Sequence, residues 1–267
     1  MKSRLDKLLL ERGLAPSRQR AQALILAGRV LVNEQKAEKA GTNVEGDARI
    51  RILGDAQPFV SRGGLKLARA LEHWKIDVRG KACLDIGAST GGFTDCLLQN
   101  GAAKVIAVDT GYGQIDAKLR NDSRVRLLEK TNARYLTSEQ IWPDQSKPDA
   151  IEMVVMDVSF ISATLVLPAV LQCVRASAPP GGFDLVVLVK PQFETSREQV
   201  GKGGIVRDVE AQQTAVLRVA EAVKGLGGAT IASIESPILG AEGNREFLLH
   251  ARFECSGVTL KSSHPEP

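Results

Sequence analysis

Leu5, Leu8, Leu9 and Leu10 recur at helical spacing, and Gly13 follows where a helix of that length would stop. Pro16-Ser17 restarts the pattern, with Ala21, Leu24 and Ile25 as the apolar positions and Gly28 as the stop. Val30–Val32 then reads as a short strand turned by Asn33-Glu34-Gln35, and Ala48–Leu53 alternates Arg with Ile as a half-buried strand does. Gly54–Pro58 has the composition of a linker. Beyond it the period changes. Strands are predicted at Ala82–Ile86, Lys104–Val108, Met153–Met156, Leu185–Val189, Ile231–Ser236 and Phe247–Phe253. Helices are predicted at Gly92–Gln99, Ser162–Ser177 and Val209–Gly225. Strands alternating with helices imply an α/β unit with a parallel sheet, preceded by a small α+β head. Residues 1–58 form the head, 59–255 the body, and the polar segment 256–267 is expected to be a flexible tail.

Charge separates these parts. Residues 1–60 hold 11 Lys and Arg against 7 Asp and Glu, whereas 61–267 hold 24 against 24. The whole excess of +4 therefore lies in the head, which suits a polyanion-binding module. Arg4, Lys7, Arg18, Arg20 and Arg29 fall on or beside its helices, where guanidinium groups can meet phosphates through paired hydrogen bonds. Composition also excludes several classes. The longest mostly apolar stretch, Ala163–Val174, is too short for a bilayer and contains Thr164, Pro168 and Gln172. Met1–Gly13 lacks the basic cap and apolar core of a secretion signal. Four cysteines without a CxxC pair, and three histidines, argue against a disulfide scaffold or a metal site and for a reducing cytoplasm.

The sharpest chemical signal is Asp85-Ile86-Gly87-Ala88-Ser89-Thr90-Gly91-Gly92-Phe93-Thr94, at a strand end that opens a helix. Glycines there let a ligand approach the backbone, and free helix amides favour polar ligand groups. The next strand ends in Asp109, a carboxylate placed to accept ribose hydroxyls. GxGxxG is absent, and no Lys follows the glycines as a phosphate loop requires. Asp85 suits a ligand with a cationic end. S-adenosylmethionine, with its ammonium, sulfonium and ribose, matches Asp85, the loop Gly87, Ser89, Thr90, Gly91, Gly92 and Phe93, and Asp109. Asp157 and Lys190 end the next two strands and should point into the same crevice. Ser196–Arg207, carrying Lys202 and Arg207, reads as a mobile basic loop or a plain surface connection.

The head resembles the S4 RNA-binding domain through Arg4-Leu5-Asp6, Ser17-Arg18-Gln19-Arg20-Ala21 and Gly28–Asn33. The order Lys66, Asp157, Lys190, Glu246 resembles the Lys-Asp-Lys-Glu tetrad of FtsJ-like ribose methyltransferases. The whole chain, head included, is similar to the TlyA (haemolysin A) family, through Ser61–Leu67, Asp85–Thr94, Asp109–Gln114, Met156–Ser159, Lys190–Glu194 and Gly201–Asp208. Ala88 and Thr110 are minor departures.

The resemblance implies a Rossmann-like body that transfers methyl groups from S-adenosylmethionine to cytidine 2′-hydroxyls of ribosomal RNA or ribosomal subunits. It implies catalytic roles for Lys66, Asp157, Lys190 and Glu246, with Asp157 also at the cofactor, and RNA contacts at Arg62 besides the head and loop cations. Lys190 is the expected base. Lys66 would depress its basicity or hold the hydroxyl, and the two carboxylates would orient the lysines. Two other readings stay open: a membrane-active haemolysin, and an RNA-binding ribosome assembly factor that has lost catalysis.

Overall fold

The computed structural model describes residues 2–15, 17–53, 58–142, 150–175, 177–240 and 242–254. The segment expected to be a tail, 256–267, and residues 54–57 of the expected linker lie outside the described residues. Contacts divide the chain into two compact units, Met1–Pro58 and Phe59–Pro267.

The first unit runs β1 (Lys2–Arg4), α1 (Leu5–Glu11), α2 (Arg18–Leu26), β2 (Val30–Val32), β3 (Gln35–Lys36), β4 (Asn43–Glu45) and β5 (Ile50–Ile52). Ser17 caps α2, its Oγ accepting the Arg20 N–H at 3.2 Å, so the Pro16-Ser17 restart has a physical basis. Leu5, Leu8 and Leu9 of α1 pack with Ala21, Leu24 and Ile25 of α2 and with Val30, making the small core that the apolar spacing predicts.

Three short strands of this unit, β1, β3 and β4, were not predicted, and Gln35, expected in the turn, begins β3. β1 and β4 pair antiparallel, with Ser3 opposite Val44, and each places one central residue inward between exposed neighbours. Three residues carry too little alternation to read as a strand. The strand expected over Ala48–Leu53 is shorter, because Ala48 donates its N–H to Glu45 O in the preceding turn.

The second unit runs α3 (Gly63–Trp74), β6 (Ala82–Ile86), α4 (Gly92–Gln99), β7 (Lys104–Val108), α5 (Ala117–Arg120), β8 (Val125–Leu128), α6 (Ser138–Ile141), β9 (Ile151–Met156), α7 (Ala163–Arg175), β10 (Phe183–Val189), α8 (Pro191–Glu194), α9 (Val209–Gly225), β11 (Ala229–Glu235) and β12 (Phe247–Phe253). The seven strands form one sheet in the order β11-β12-β10-β9-β6-β7-β8. β12 is antiparallel to both neighbours, and the pairs from β10 to β8 are parallel.

Alternate residues of the central strands face opposite cores. Leu84 and Ile86 join the α7 and α9 side, with Val170 and Val219, while Cys83 joins the α3 and α4 side, with Leu67 and Leu97. β8 was missed because it is an edge strand whose four residues, Arg126 among them, are all only half-buried.

The chain winds outward from β6 to β7 and β8, then returns to place β9 on the other side of β6. That reversal makes a crevice beyond the carboxyl ends of β6 and β9, the place where open α/β sheets bind ligands.

Candidate active site

The crevice is closed at its base by the backbone itself. Asp157 donates its N–H to Ile86 O at 2.8 Å, joining the end of β9 to the end of β6. Gly87 has φ +83°, and a Cβ placed on it would lie 2.4 Å from Asp157 O. No other residue fits there, so the first glycine of the loop follows from this close approach of two strand ends.

Two adjacent clefts open above this junction, each of about 260 Å³, and Gly87, Ser89, Asp157 and Ser159 line both. The first is bounded by Arg62, Gly63, Lys66, Thr90, Gly92, Phe93, Lys190 and Leu239. The second is bounded by Asp109, Thr110, Gln114, Thr131, Asn132 and Phe160.

Both oxygens of Asp109 accept backbone N–H groups, from Ser89 at 2.8 Å and Gly111 at 2.6 Å. A carboxylate has about four acceptor sites, so two remain for a ribose. Asp85 is placed differently from the expectation. It is fully buried beneath the glycine turn and lines neither cleft. Its Oδ2 accepts the Thr94 hydroxyl at 2.6 Å, and its Oδ1 has no donor. Burial pushes its carboxyl up to about 7, and Asp157 and Asp109 add to the rise, against the Thr94 hydrogen bond.

The four residues of the suspected tetrad form two ion pairs. Lys66 on α3 reaches Glu246, just before β12, with Nζ 2.5 Å from Oε2, and both side chains are buried. Gly240 leaves room for this carboxylate, since a Cβ there would lie 2.5 Å from Glu246 Oε1. Lys190, at the end of β10, has Nζ 2.6 Å from Asp157 Oδ1. Its directed hydrogen bond goes instead to Ser159 Oγ, also at 2.6 Å, and Asp157 Oδ1 has no aligned donor. Lys66, Asp157 and Lys190 line the first cleft, while Glu246 lies behind it.

The basic residues divide into two kinds. In the first unit, Arg4 and Arg18 both bind the buried carboxylate of Asp6, at 3.0 and 2.9 Å, and Gln22 donates to it as well. Arg4 above all, through its hydrogen bonds, holds the Asp6 carboxyl well below the usual range. Arg29 donates to Leu53 O at 2.9 Å, and Lys7 pairs with Glu11 at 3.4 Å. Arg4, Arg18 and Arg29, expected to meet phosphates, each also tie their own fold together. Arg20 is exposed, as is Arg62 at the start of α3.

Lys202 and Arg207 are exposed on a loop that is not a free flap. Gly201 donates to Ile205 O, and the buried Asn244 both accepts from Val206 N–H at 2.9 Å and donates to Gly204 O at 2.8 Å.

Ser159, Gln114, Asn132, Phe160 and Leu239 were not singled out from the sequence. Asn132 follows β8, so missing that strand hid it. Ser159 lay within a motif already noted, two residues after Asp157.

Fold and site together define a methyltransferase of the FtsJ-like class with an S4 domain ahead of it. A family model described as FtsJ-like methyltransferase matches residues 59–253, and one described as S4 domain matches 3–50. The 16S/23S rRNA (cytidine-2′-O)-methyltransferase TlyA of Mycobacterium tuberculosis is 46% identical over 94% of this chain and 90% of its own length. Hemolysin A of Brachyspira hyodysenteriae is 39% identical over 92% of this chain and 98% of its own. A solved structure from Streptococcus thermophilus, assigned provisionally to the hemolysins, is 40% identical, covers 96% of this chain and 90% of its own, and has a TM-score of 0.69. The chain belongs to the TlyA (hemolysin A) family of FtsJ-like methyltransferases.

Proposed function

We propose that the protein transfers a methyl group from S-adenosylmethionine to the 2′-hydroxyl of a cytidine in ribosomal RNA, acting in the cytoplasm on ribosomal RNA or ribosomal subunits. The observation that carries this reading is the pair of Lys–carboxylate contacts, the buried Lys66–Glu246 and the partly buried Lys190–Asp157, beside the cleft above the glycine turn. Its support from relatives is the TlyA enzyme's named activity at 46% identity.

The residues present fit the cofactor. Asp85 Oδ1 is a buried acceptor without a donor, which suits a cationic ligand bound above the turn, felt through charge across the turn rather than by contact. The second cleft offers Asp109 for ribose hydroxyls and Asn132 beside it. S-adenosylmethionine supplies a methyl group on a sulfonium, ready for in-line displacement. Everything else falls to the chain. Lys190 takes the proton of the 2′-hydroxyl, since that oxygen is a weak nucleophile while protonated. Lys66 holds the hydroxyl oxygen, and Glu246 fixes Lys66. Asp157 fixes Lys190 and, through its backbone, the glycine turn.

Residues 1–58 grip structured RNA through Arg20, Lys7 and the exposed faces of Arg4, Arg18 and Arg29, while residues 59–255 carry the chemistry. Arg62, Lys202 and Arg207 add phosphate contacts on the body. Among the described residues, no group of three or more His, Cys, Asp or Glu side chains is placed to hold a metal ion. Among them, no helix is long and apolar enough to cross a membrane.

The test is incorporation of labelled methyl from S-adenosylmethionine into purified ribosomal subunits, followed by mapping of the modified nucleotide. Label at a cytidine ribose supports the reading. Binding of RNA without transfer would favour an assembly factor, and release of haemoglobin from erythrocytes without transfer would favour a haemolysin.

A further inference from the structure

Lys190 is held by a hydroxyl as well as a carboxylate. Its Nζ donates to Ser159 Oγ at 2.6 Å, and it stands 2.6 Å from Asp157 Oδ1 without the alignment of a hydrogen bond. A neutral amine has two N–H bonds and one lone pair in a tetrahedral arrangement. With one N–H on Ser159 and the other beside Asp157, one direction remains, and Lys190 lines the first cleft.

Ser159 is itself well braced. Phe160, next in the chain, has φ +65°, a left-handed conformation that an aromatic residue adopts only when its surroundings impose it. Three residues past Ser159, the loop is tied to α8, which begins directly after Lys190. Ser162 Oγ donates to Glu194 Oε2 at 2.5 Å, and Ala163 N–H donates to Glu194 Oε1 at 2.7 Å. The Asp157–Ala163 loop and the Lys190–Glu194 segment are thus joined at both ends, and at the cleft end the joint is Ser159.

We infer that Ser159 is a positioning residue that holds the Lys190 amine with its free direction toward the reacting hydroxyl, and keeps it from closing fully onto Asp157. This rests on the methyl-transfer reading for its purpose, but the Ser159–Lys190 coupling stands on geometry alone. Without the hydroxyl, Lys190 turns to align with Asp157, and a directed carboxylate contact favours the ammonium, which cannot take a proton. Among the described residues, the other charged side chains that line the same cleft are Arg62 and Lys66, and Glu246 holds Lys66. Removing Ser159 changes none of them.

The experiment compares the full-length protein with Ser159→Ala and Ser159→Thr. It measures methyl transfer to ribosomal RNA across pH, cofactor affinity by calorimetry, and the acetylation rate of Lys190 by acetic anhydride across pH, read by mass spectrometry without RNA or cofactor. Ser159→Ala should lower kcat about 10- to 100-fold, as a misplaced catalytic group does, with cofactor affinity within about twofold of wild type. The acid limb of the kcat profile and the Lys190 acetylation curve should both move to higher pH. Ser159→Thr should recover most of both, because Ser159 is exposed and has room for a methyl group.

An acetylation curve that stays in place in Ser159→Ala overturns the inference. So does a Thr variant as poor as the Ala variant, or a loss of cofactor affinity as large as the loss of kcat. If wild type itself transfers no methyl to ribosomal RNA, the functional reading fails separately, and the acetylation curves still decide whether Ser159 governs Lys190.

Discussion

Lys66 and Glu246 meet at 2.5 Å across 180 residues of chain, so the first helix of the body and the entry to its last strand close on one buried ion pair. Neither residue lies at the crevice floor made by β6 and β9. The pair brings a cation to the cleft from the far side, opposite the Asp109 end of the glycine turn.

Breaking that pair should be costly in a particular way. Glu246→Gln leaves the Lys66 ammonium buried without a counter-charge, a change expected to destabilise the body by about 3–5 kcal/mol. Lys66→Met combined with Glu246→Gln removes both charges and should regain most of that stability while transferring no methyl. Urea unfolding of wild type and the two variants checks the first point and methyl incorporation the second. A double variant as unstable as the single one would mean that the pair is structural packing rather than charge compensation.

Lys190→Ala should abolish methyl transfer and leave cofactor binding nearly intact, whereas Asp109→Ala should weaken cofactor binding and spare turnover at saturating cofactor. Asp109 holds Ser89 and Gly111 as well as facing the second cleft, so its loss should weaken binding by about 1.5–3 kcal/mol, the range for hydrogen bonds to a charged group. Calorimetry with S-adenosylmethionine and turnover on ribosomal RNA separate the two. Retained turnover in Lys190→Ala at saturating substrate would remove it as the base.

Much of this site was legible in the sequence, for identifiable reasons. The glycine turn, Asp109, Asp157 and Lys190 all sit at strand ends, and strand ends are what hydrophobic patterning locates best. β6, β7, α4, α9 and β12 have the predicted bounds because each has a strong apolar rhythm and a clear stop. Lys66 and Glu246 were invisible to that logic, since a helix Lys and a Glu before a strand become partners only through the tertiary fold. Resemblance alone singled them out. The half-buried edge strand β8 gave too weak a rhythm, and Asn132 was lost with it. Arg4 and Arg18 were seen as surface charge because nothing in the order of residues shows that Asp6 is buried between them.

Asp85 links the site to pH. The fold favours its acid form up to about pH 7, above the ordinary carboxylate value. A carboxyl whose value rises on folding stabilises fully below its unfolded value of about 4 and loses that contribution as pH rises through its folded value. Asp85→Asn keeps an acceptor for the Thr94 hydroxyl but has no charge to bury. Without cofactor, its thermal midpoint should therefore exceed wild type at pH 8, and the difference should shrink toward pH 5. Its affinity for S-adenosylmethionine should fall, most clearly at pH 8, where wild type is ionised. Equal midpoints at pH 8 would mean that Asp85 carries no buried charge there.

The head gives a test that separates folding from RNA contact within three residues. Arg18 and Arg20 are both exposed on α2, but Arg18 holds the buried Asp6 carboxylate and Arg20 does not. Arg18→Ala should destabilise the first unit by about 1–3 kcal/mol, the cost of weakening a charged hydrogen-bond cluster. Asp6 is held well below the usual carboxylate range, chiefly by Arg4, so its contribution is present above its unfolded value near 4 and is lost as pH falls below that. Acid unfolding of the head should accordingly begin at higher pH in Arg18→Ala than in wild type. Arg20→Ala should change stability by less than about 0.5 kcal/mol, as surface substitutions do. In RNA binding the order reverses. Each lost phosphate contact lowers the log–log salt slope by about 0.7–0.9, so Arg20→Ala should flatten the slope for a folded ribosomal RNA fragment while its fold is untouched. Hydrogen exchange in residues 1–58 and binding titrations at several salt concentrations measure the two effects side by side. An Arg20→Ala protein with the wild-type slope would place the head's phosphate contacts elsewhere on its surface.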